Sequence, residues 1–131
     1  MSKICTDLKQ SRKLIELGIE HNTADMHWWP NGNDFQLFPI PFKNDDSVPE
    51  SVAKEIIPAW SLSALLELMP KIRVAAPIIV KALLEEKYYC HYQGIGTFKE
   101  VYTTTFHEEP TDAAFEMVVW LLENGYIKPI K

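Results

Sequence analysis

The stretch IPAWSLSALLELMP, Ile57 to Pro70, decides the fold, because it sets a tryptophan, four leucines and a methionine between two prolines. Its apolar residues recur at i, i+3, i+4 and i+7, which predicts a short amphipathic helix. Ser61 can cap the free amides of the first turn, and Pro70 ends the helix. The apolar stripe consists of Leu62, Leu65, Leu66 and Met69.

Two further apolar residues, Ala64 and Leu68, lie off this stripe, so the helix is apolar on nearly two faces. A helix of that kind is normally buried. We therefore expect it to be core, packed between a sheet and another helix, with Trp60 at its corner. The alternative is a binding surface, which exposed Leu65 and Leu66 side chains would indicate.

Composition limits the classes of protein to consider. A chain of 131 residues fits one domain, 1–131, and its 47% hydrophobic content is that of a globular protein. The formal charge of −5 disfavours nucleic acid as a partner, and no apolar run approaches the roughly 20 residues that a membrane span needs. Two distant cysteines, Cys5 and Cys90, and an N-terminus without a signal-peptide pattern predict a cytoplasmic protein.

Two more helices are predicted at the ends of the chain. The first covers 6–17, with Thr6 or Asp7 as its N-cap and Gly18 as its C-terminal cap. Its basic residues Lys9, Arg12 and Lys13 are expected to be a solvated face.

The second terminal helix, PTDAAFEMVVWLLENG at 110–125, is the strongest element of the sequence. Glu109 is expected to cap it, and Asn124-Gly125 to end it. Its main charged stripe should be solvated and consists of Asp112, Glu116 and Glu123.

Strand signals occupy the middle of the chain. TADMHWWP and DFQLFPIP flank the turn sequence NGND, which predicts a β-hairpin over 23–41. Pro39 and Pro41 cannot donate to a ladder, so the second run should be an edge strand or should leave the sheet. The polar run KNDDSVPES, 43–51, is expected to be a loop.

Residues 78–87 allow two interpretations. The segment is either a helix with Pro77 at its first position or a strand that turns into YYCHY, 88–92. YYCHY, QGIG and TFKEVYTTTF then predict two β-rich runs around a glycine turn. Together these signals predict a single α+β domain, an antiparallel sheet of about four or five strands with about three helices packed mainly on one face.

Several blocks together resemble one family. In order along the chain they are DLKQSRKLIELGI, TADM, IPAWSLSALLELMP, YYC and DAAFEMVVWLLENGYI. They are similar to small uncharacterised proteins encoded in the genomes of gut anaerobes, in their prophages and in other mobile elements. That family has no assigned activity, catalytic residue or cofactor, so the resemblance implies a genomic setting and no mechanism. In its members the segment before YYC is strand-like, which favours the strand interpretation of Ile78 to Leu84.

Candidate chemistry centres on Cys90 and His91, with His21, His27 and His107 elsewhere. Adjacent residues on a strand point to opposite faces, and no close pair of ligands marks a zinc site, so we expect no metal and no other cofactor. Cys90 could act as a nucleophile only beside a base such as His27 or His107, and no cysteine-enzyme motif surrounds it. No catalytic residue is therefore predicted.

The pair Trp28-Trp29 is the best candidate for binding a partner. On a strand one ring faces in and the other faces out, and exposed aromatic side chains are favoured anchors of interfaces. The alternative is that the 42–52 loop folds over the outer ring.

These observations favour a non-enzymatic accessory or interaction protein of a mobile element or prophage, which acts through a protein partner or a homodimer. The alternative is a small-molecule-binding or hydrolytic domain with a pocket near Cys90 and His91 that Tyr88 and Tyr92 help to line. Helices filling that face of the sheet would argue against the pocket.

Overall fold

The computed structural model describes residues 3–42, 48–72, 75–82, 84, 86–93 and 102–129. Their helices are α1 (Leu8–Glu16), α2 (Glu50–Ala53), α3 (Leu62–Leu68) and α4 (Pro110–Glu123), with a 3-10 turn at His21–Thr23. Their strands are β1 (Met26–Asn31), β2 (Asp34–Phe38), β3 (Ile57–Ala59), β4 (Ala76–Ala82) and β5 (Lys87–Gln93). Every strand pair among them is antiparallel, and the predicted α+β class is confirmed.

In the described residues the strands form two sheets, where the sequence predicted one. The order β2-β1-β3 uses both sides of β1, and β4 pairs with β5 in a separate hairpin. Helix α3 lies between β3 and β4 along the chain. The helices are divided in the same way, since α1 contacts β3 while α4 contacts β5 and α3.

The hairpin predicted over 23–41 is present as β1 and β2. Gly32, with a φ of 68°, provides the left-handed conformation that the turn between β1 and β2 requires. β2 ends directly before Pro39 and is an edge strand, as predicted. β4 and β5 confirm the strand interpretation of residues 78–87, with Ile79 opposite Cys90.

Parts of three predictions lie outside the described residues, namely 43–47 of the polar loop, 94–96 of the glycine turn and 97–101 of the run after it. In the described part of that run, 102–106, the predicted strand is reduced to an isolated bridge between Thr103 and His91. The last two residues of the predicted loop, Glu50 and Ser51, instead begin α2.

Helix α1 begins and ends where its sequence predicts. The Asp7 carboxylate accepts the Gln10 amide at 2.8 Å, and the Gln10 side chain accepts the Asp7 amide at 3.1 Å, which is a reciprocal capping box. Gly18 follows the helix with a φ of 99°, a conformation that favours glycine.

Helix α4 has the predicted bounds, but Glu109 acts differently from the prediction. It occupies the N-cap position without capping, because its carboxylate accepts the backbone amide of Lys3 at 2.8 Å. The Lys3 ammonium lies 2.7 Å from Asp112, and the Thr111 hydroxyl donates to the Lys3 carbonyl at 3.1 Å. These bonds attach the start of the described chain to α4.

The stretch around α3 is core, as predicted. Trp60 and Leu65 have no exposed surface, Met69 is buried, and Leu66 is partly buried against the same cluster. The Ser61 hydroxyl accepts the Ala64 amide at 3.2 Å and caps the helix. α3 packs on α4, whose fully buried apolar residues are Ala113, Ala114, Met117, Val118 and Leu121.

Candidate functional site

The two tryptophans of β1 face opposite sides of their sheet, as the alternation of a strand predicts. The Trp28 ring points towards the N-terminal segment, where its Nε1 donates to the Thr6 carbonyl at 3.2 Å. Trp29 points the other way and is partly buried among aromatic rings. The Trp28 side chain is therefore bonded to the N-terminal segment, while the Trp29 ring lies on the opposite side of the sheet.

Trp29 lies in a mostly apolar groove on the outer side of the first hairpin. Its ring centroid is 6.1 Å from that of Phe38 and 6.5 Å from that of Phe42, both in edge-to-face geometry. The groove, called the Trp29 groove below, has a volume of about 660 Å³. It is lined by His27, Trp29, Phe38, Ile40, Pro41, Phe42 and Val48.

The local sequence explains why this groove forms. His27 and Phe38 are cross-strand partners, and their rings stack with centroids 5.3 Å apart. After Pro39 the chain leaves the sheet, and the His27 Nδ1 donates to the Ile40 carbonyl at 2.8 Å. That bond fixes the departing chain so that Phe42 contacts both His27 and Trp29. His27 is thus occupied in shaping the groove rather than in serving as a base for Cys90.

The predicted cover from the 42–52 loop is partial in the described residues. Phe42 and Val48 line the groove, while 43–47 lie outside the described residues. Ile40, at the rim, is 59% exposed. A second cavity of about 520 Å³ shares Pro41 and Phe42 with the groove and continues towards Lys54. The two cavities are therefore adjacent.

Cys90 and His91 lie on opposite faces of β5, so the predicted four-residue pocket around them is not formed. Cys90 has no exposed surface and faces the core, and Tyr92 is buried beside it with its hydroxyl donating to the Pro70 carbonyl at 2.7 Å. His91 lines a different cavity of about 450 Å³ on the outer face, together with Tyr89 and residues 103–106. The Cys90 thiol and the His91 imidazole therefore do not meet.

Both cysteines are expected to resist thiol reagents in the native protein. Burial raises the pKa of Cys90 to about 12 and that of Cys5 to about 11. Since the thiolate is the reactive form, labelling by Ellman's reagent at about pH 8 should be at least ~100-fold slower than in guanidinium chloride. Rapid labelling of either thiol in the native protein would show that it is accessible and would contradict this placement.

A cluster that the sequence analysis missed forms where residues 102–107 cross α4. Glu116 accepts the Tyr102 hydroxyl at 2.7 Å through Oε2, and its Oε1 accepts the Thr105 hydroxyl at 2.7 Å. The same Oε1 lies 2.7 Å from the His107 Nε2. The prediction of a solvated acidic stripe is therefore wrong for Glu116, and also for Asp112, which binds Lys3 and Gln10.

Thr105, His107 and Glu116 are residue types of a nucleophile, base and acid triad, but their geometry is different. In a triad the imidazole contacts the nucleophile through one nitrogen and the acid through the other. Here the Thr105 hydroxyl, at 3.3 Å, and Glu116 both contact the His107 Nε2. The cluster consequently acts as a clamp that holds residues 102–107 against α4.

The Glu116 clamp predicts a loss of stability in acid. Partial burial alone would raise the pKa of Glu116, but hydrogen bonds from His107, Tyr102 and Thr105 outweigh burial and hold this pKa below its ordinary value. A carboxyl with a depressed folded-state pKa stabilises the fold above its unfolded pKa of about 4.3, and this contribution is lost as the pH falls through the folded value. Glu116→Gln should therefore reduce the free energy of unfolding by about 1–2 kcal/mol at neutral pH.

Urea denaturation of the wild type and of Glu116→Gln from neutral pH to about pH 3 tests this prediction. The difference between the two proteins should shrink as the pH falls. A difference that stays constant over this range would mean that ionised Glu116 does not stabilise the clamp. Glu123→Gln, at the exposed end of α4, is the matched control and should have little effect at any pH.

In the described ranges, no group of three or more His, Cys, Asp or Glu side chains is placed to hold a metal ion. None of the helices assigned there is long and apolar enough to cross a membrane. Comparison with protein-family models, curated proteins and solved structures finds no match to this chain.

Proposed function

We propose that this chain is a non-enzymatic interaction protein that binds a partner protein through the Trp29 groove. The observation that supports this function best is the partly buried Trp29 ring in a groove of about 660 Å³ whose lining is almost entirely apolar. Aromatic residues in apolar depressions are frequent hot spots of protein interfaces. The pre-formed packing of His27, Phe38 and Phe42 reduces the entropy that Trp29 would lose on binding.

The partner would present an apolar side chain surrounded by basic residues. The apolar side chain would fill the groove beside Trp29. Basic residues around it would be attracted by the formal charge of −5 on this chain and would raise the rate of encounter. The attraction predicts that binding weakens as salt concentration rises.

The proposed setting is the cytoplasm, where the chain would serve a prophage or another mobile element as an accessory protein. Two buried free cysteines support a reducing compartment. The mobile-element setting is supported only by the resemblance of the five sequence blocks.

Affinity capture with three forms of the tagged chain tests the proposal. Wild type, Trp29→Ala and Phe106→Ala are expressed in the native host, and each captured protein is purified and titrated against them by calorimetry. Phe106 is the matched control, since it is an aromatic residue with 51% exposure that lies away from the groove and contacts Tyr89 of β5. We expect a partner that binds wild type and Phe106→Ala and is lost with Trp29→Ala. Equal binding by all three forms, or equal loss in both variants, would contradict the proposal.

A second candidate function, small-molecule binding, is favoured by the cavity of about 450 Å³ beside His91. Tyr89 and Phe106 provide apolar walls there, and Thr104 and Thr105 provide hydroxyl groups. Native mass spectrometry of the purified protein tests this candidate. A co-purifying compound that is lost with His91→Ala and kept with Trp29→Ala would support it, and loss with Trp29→Ala alone would place the compound in the groove instead.

A further inference from the structure

The second cavity, which lies beside the Trp29 groove, is called the Lys54 cavity below. Its lining comes from three stretches of the chain, 21–26, 41–42 and 53–58. Its volume of about 520 Å³ is within the range of roughly 300–1,000 Å³ that small-molecule sites occupy in proteins. Pro41 and Phe42 line both the cavity and the groove, so the two share a wall. The cavity is therefore large enough to hold a small molecule.

The lining of the Lys54 cavity is apolar where the chain is buried. Ala24, Ile56 and Pro58 are buried, and Met26 is partly buried. Pro58 is the cross-strand partner of His27, so its side chain lies on the same face of the sheet as the groove. A ligand with an apolar body would remove its own hydrocarbon surface from water by covering these residues.

The polar residues of the lining are exposed and can donate hydrogen bonds. They are His21, Asn22 and Lys54, whose ring N–H, side-chain amide and ammonium are all donors. The Lys54 Nζ lies 3.9 Å from the Glu50 Oε1, which is an ion pair but is longer than a hydrogen bond. Both side chains are largely exposed, so this pair contributes little and the ammonium can turn to a ligand.

Among the described residues, no Asp or Glu lines the Lys54 cavity, although the chain has a formal charge of −5. Glu20 and Glu55 are adjacent in sequence to His21 and Lys54, but neither lines the cavity. An anionic ligand would therefore meet a cation and further donors without facing a carboxylate of the wall. The charge of the lining favours an anion over a cation.

We propose that the Lys54 cavity binds a small carboxylic acid with an apolar body, such as a medium-chain fatty acid. The carboxylate accepts hydrogen bonds from Lys54 and Asn22 at the rim, and the apolar body covers Met26, Ile56 and Pro58. This site is separate from the Trp29 groove and from the cavity beside His91, so it goes beyond the proposed function.

Titration of the isotope-labelled full chain followed by NMR tests the site with two probes of opposite charge, octanoate and octylammonium. We expect octanoate to bind saturably with a Kd below about 1 mM and to shift the methyl signals of Met26 and Ile56. Hexanoate, which lacks two methylene groups, should bind roughly tenfold more weakly. Octylammonium should bind at least about fivefold more weakly than octanoate, although the formal charge of −5 attracts it. Shifts that do not saturate, or octylammonium binding as tightly as octanoate, would overturn the proposal.

Substitutions at the rim and in the wall of the cavity locate the ligand. Lys54→Met keeps the length of the side chain and removes its charge, so it should raise the Kd of octanoate at least about fivefold without weakening octylammonium. Lys71→Met is the matched control, because it makes the same change of charge at an exposed residue outside the lining. Ala53→Leu fills part of the cavity and should weaken the binding of octanoate as well. Circular dichroism checks that each variant is folded.

Two results with these variants would overturn the proposal. Equal changes in Lys54→Met and Lys71→Met would show only a general effect of charge. Loss of octanoate binding in Trp29→Ala, with binding kept in Ala53→Leu, would place the ligand in the Trp29 groove instead. None of these titrations contains a partner protein, so the outcome for the Lys54 cavity is distinguishable from the outcome for the proposed function.

Discussion

Replacing Trp60 with alanine is expected to lower the free energy of unfolding by about 3–5 kcal/mol, a large part of the stability of a domain of this size. The Trp60 side chain has no exposed surface, and its Nε1 donates to the Thr23 hydroxyl at 2.9 Å. Its backbone amide donates to the Thr6 hydroxyl at 3.1 Å, and its carbonyl accepts the Thr6 amide at 2.9 Å. Trp60 therefore joins the segment around Thr6, the turn at His21–Thr23 and the start of α3. Alanine would leave a cavity among these three segments.

Urea denaturation followed by circular dichroism measures this effect. Trp60→Phe is the conservative control, because it keeps an aromatic ring and loses the bond to Thr23, and it should reduce stability by only about 1–2 kcal/mol. A loss below about 1 kcal/mol in Trp60→Ala would mean that Trp60 is not the centre of the core.

Replacing Trp29 with alanine should weaken partner binding strongly and the stability of the fold only slightly. Truncating an anchor residue of an interface costs at least about 2 kcal/mol of binding free energy, which corresponds to roughly a 30-fold rise in Kd. The effect on folding should be much smaller than for Trp60, because Trp29 is partly exposed and lies outside the main core cluster. Calorimetric titration with the captured partner and urea denaturation of the variant measure the two effects separately.

Phe106→Ala controls for the removal of an exposed aromatic residue, and Trp28→Phe controls for the neighbouring tryptophan. Trp28→Phe should weaken folding through the lost bond to the Thr6 carbonyl while it leaves partner binding almost unchanged. If Trp28→Phe and Trp29→Ala reduced partner binding equally, the loss would reflect damage to the hairpin, and the assignment of the groove would be wrong.

Local patterns were sufficient to predict most of the secondary structure. The capping residues Asp7 and Ser61, the glycines after α1 and α4, and the NGND turn act within a few residues of the elements they end, so their effects can be read from a short window. The apolar periodicity of α3 also predicted correctly that Leu65 is buried.

Long-range features could not be predicted in the same way. The division into two sheets depends on which strand edges meet, and periodicity carries no information about that choice. The Glu116 clamp requires Tyr102 to lie beside a helix residue fourteen positions later, a separation that no helical or strand spacing indicates.

The candidate site was predicted in part. The alternation of β1 required one of Trp28 and Trp29 to face outward, but the face that becomes the outside depends on how the sheet packs on the N-terminal segment. The groove also requires the Phe42 ring to pack against His27 after the chain has passed through Pro39 and Pro41. The sequence did not indicate this contact.

Photocrosslinking inside the native host tests whether the Trp29 groove is the partner-binding face. A photoreactive phenylalanine analogue replaces Ile40, at the rim of the Trp29 groove, in one form of the chain. In a second form it replaces Phe106, which contacts Tyr89 of β5. We expect one protein to be crosslinked from position 40 and this crosslink to disappear when Trp29→Ala is added. Position 106 should not capture the same protein. Crosslinking of the same protein from both positions, or from position 40 regardless of Trp29→Ala, would contradict the claim that the Trp29 groove is the partner-binding face.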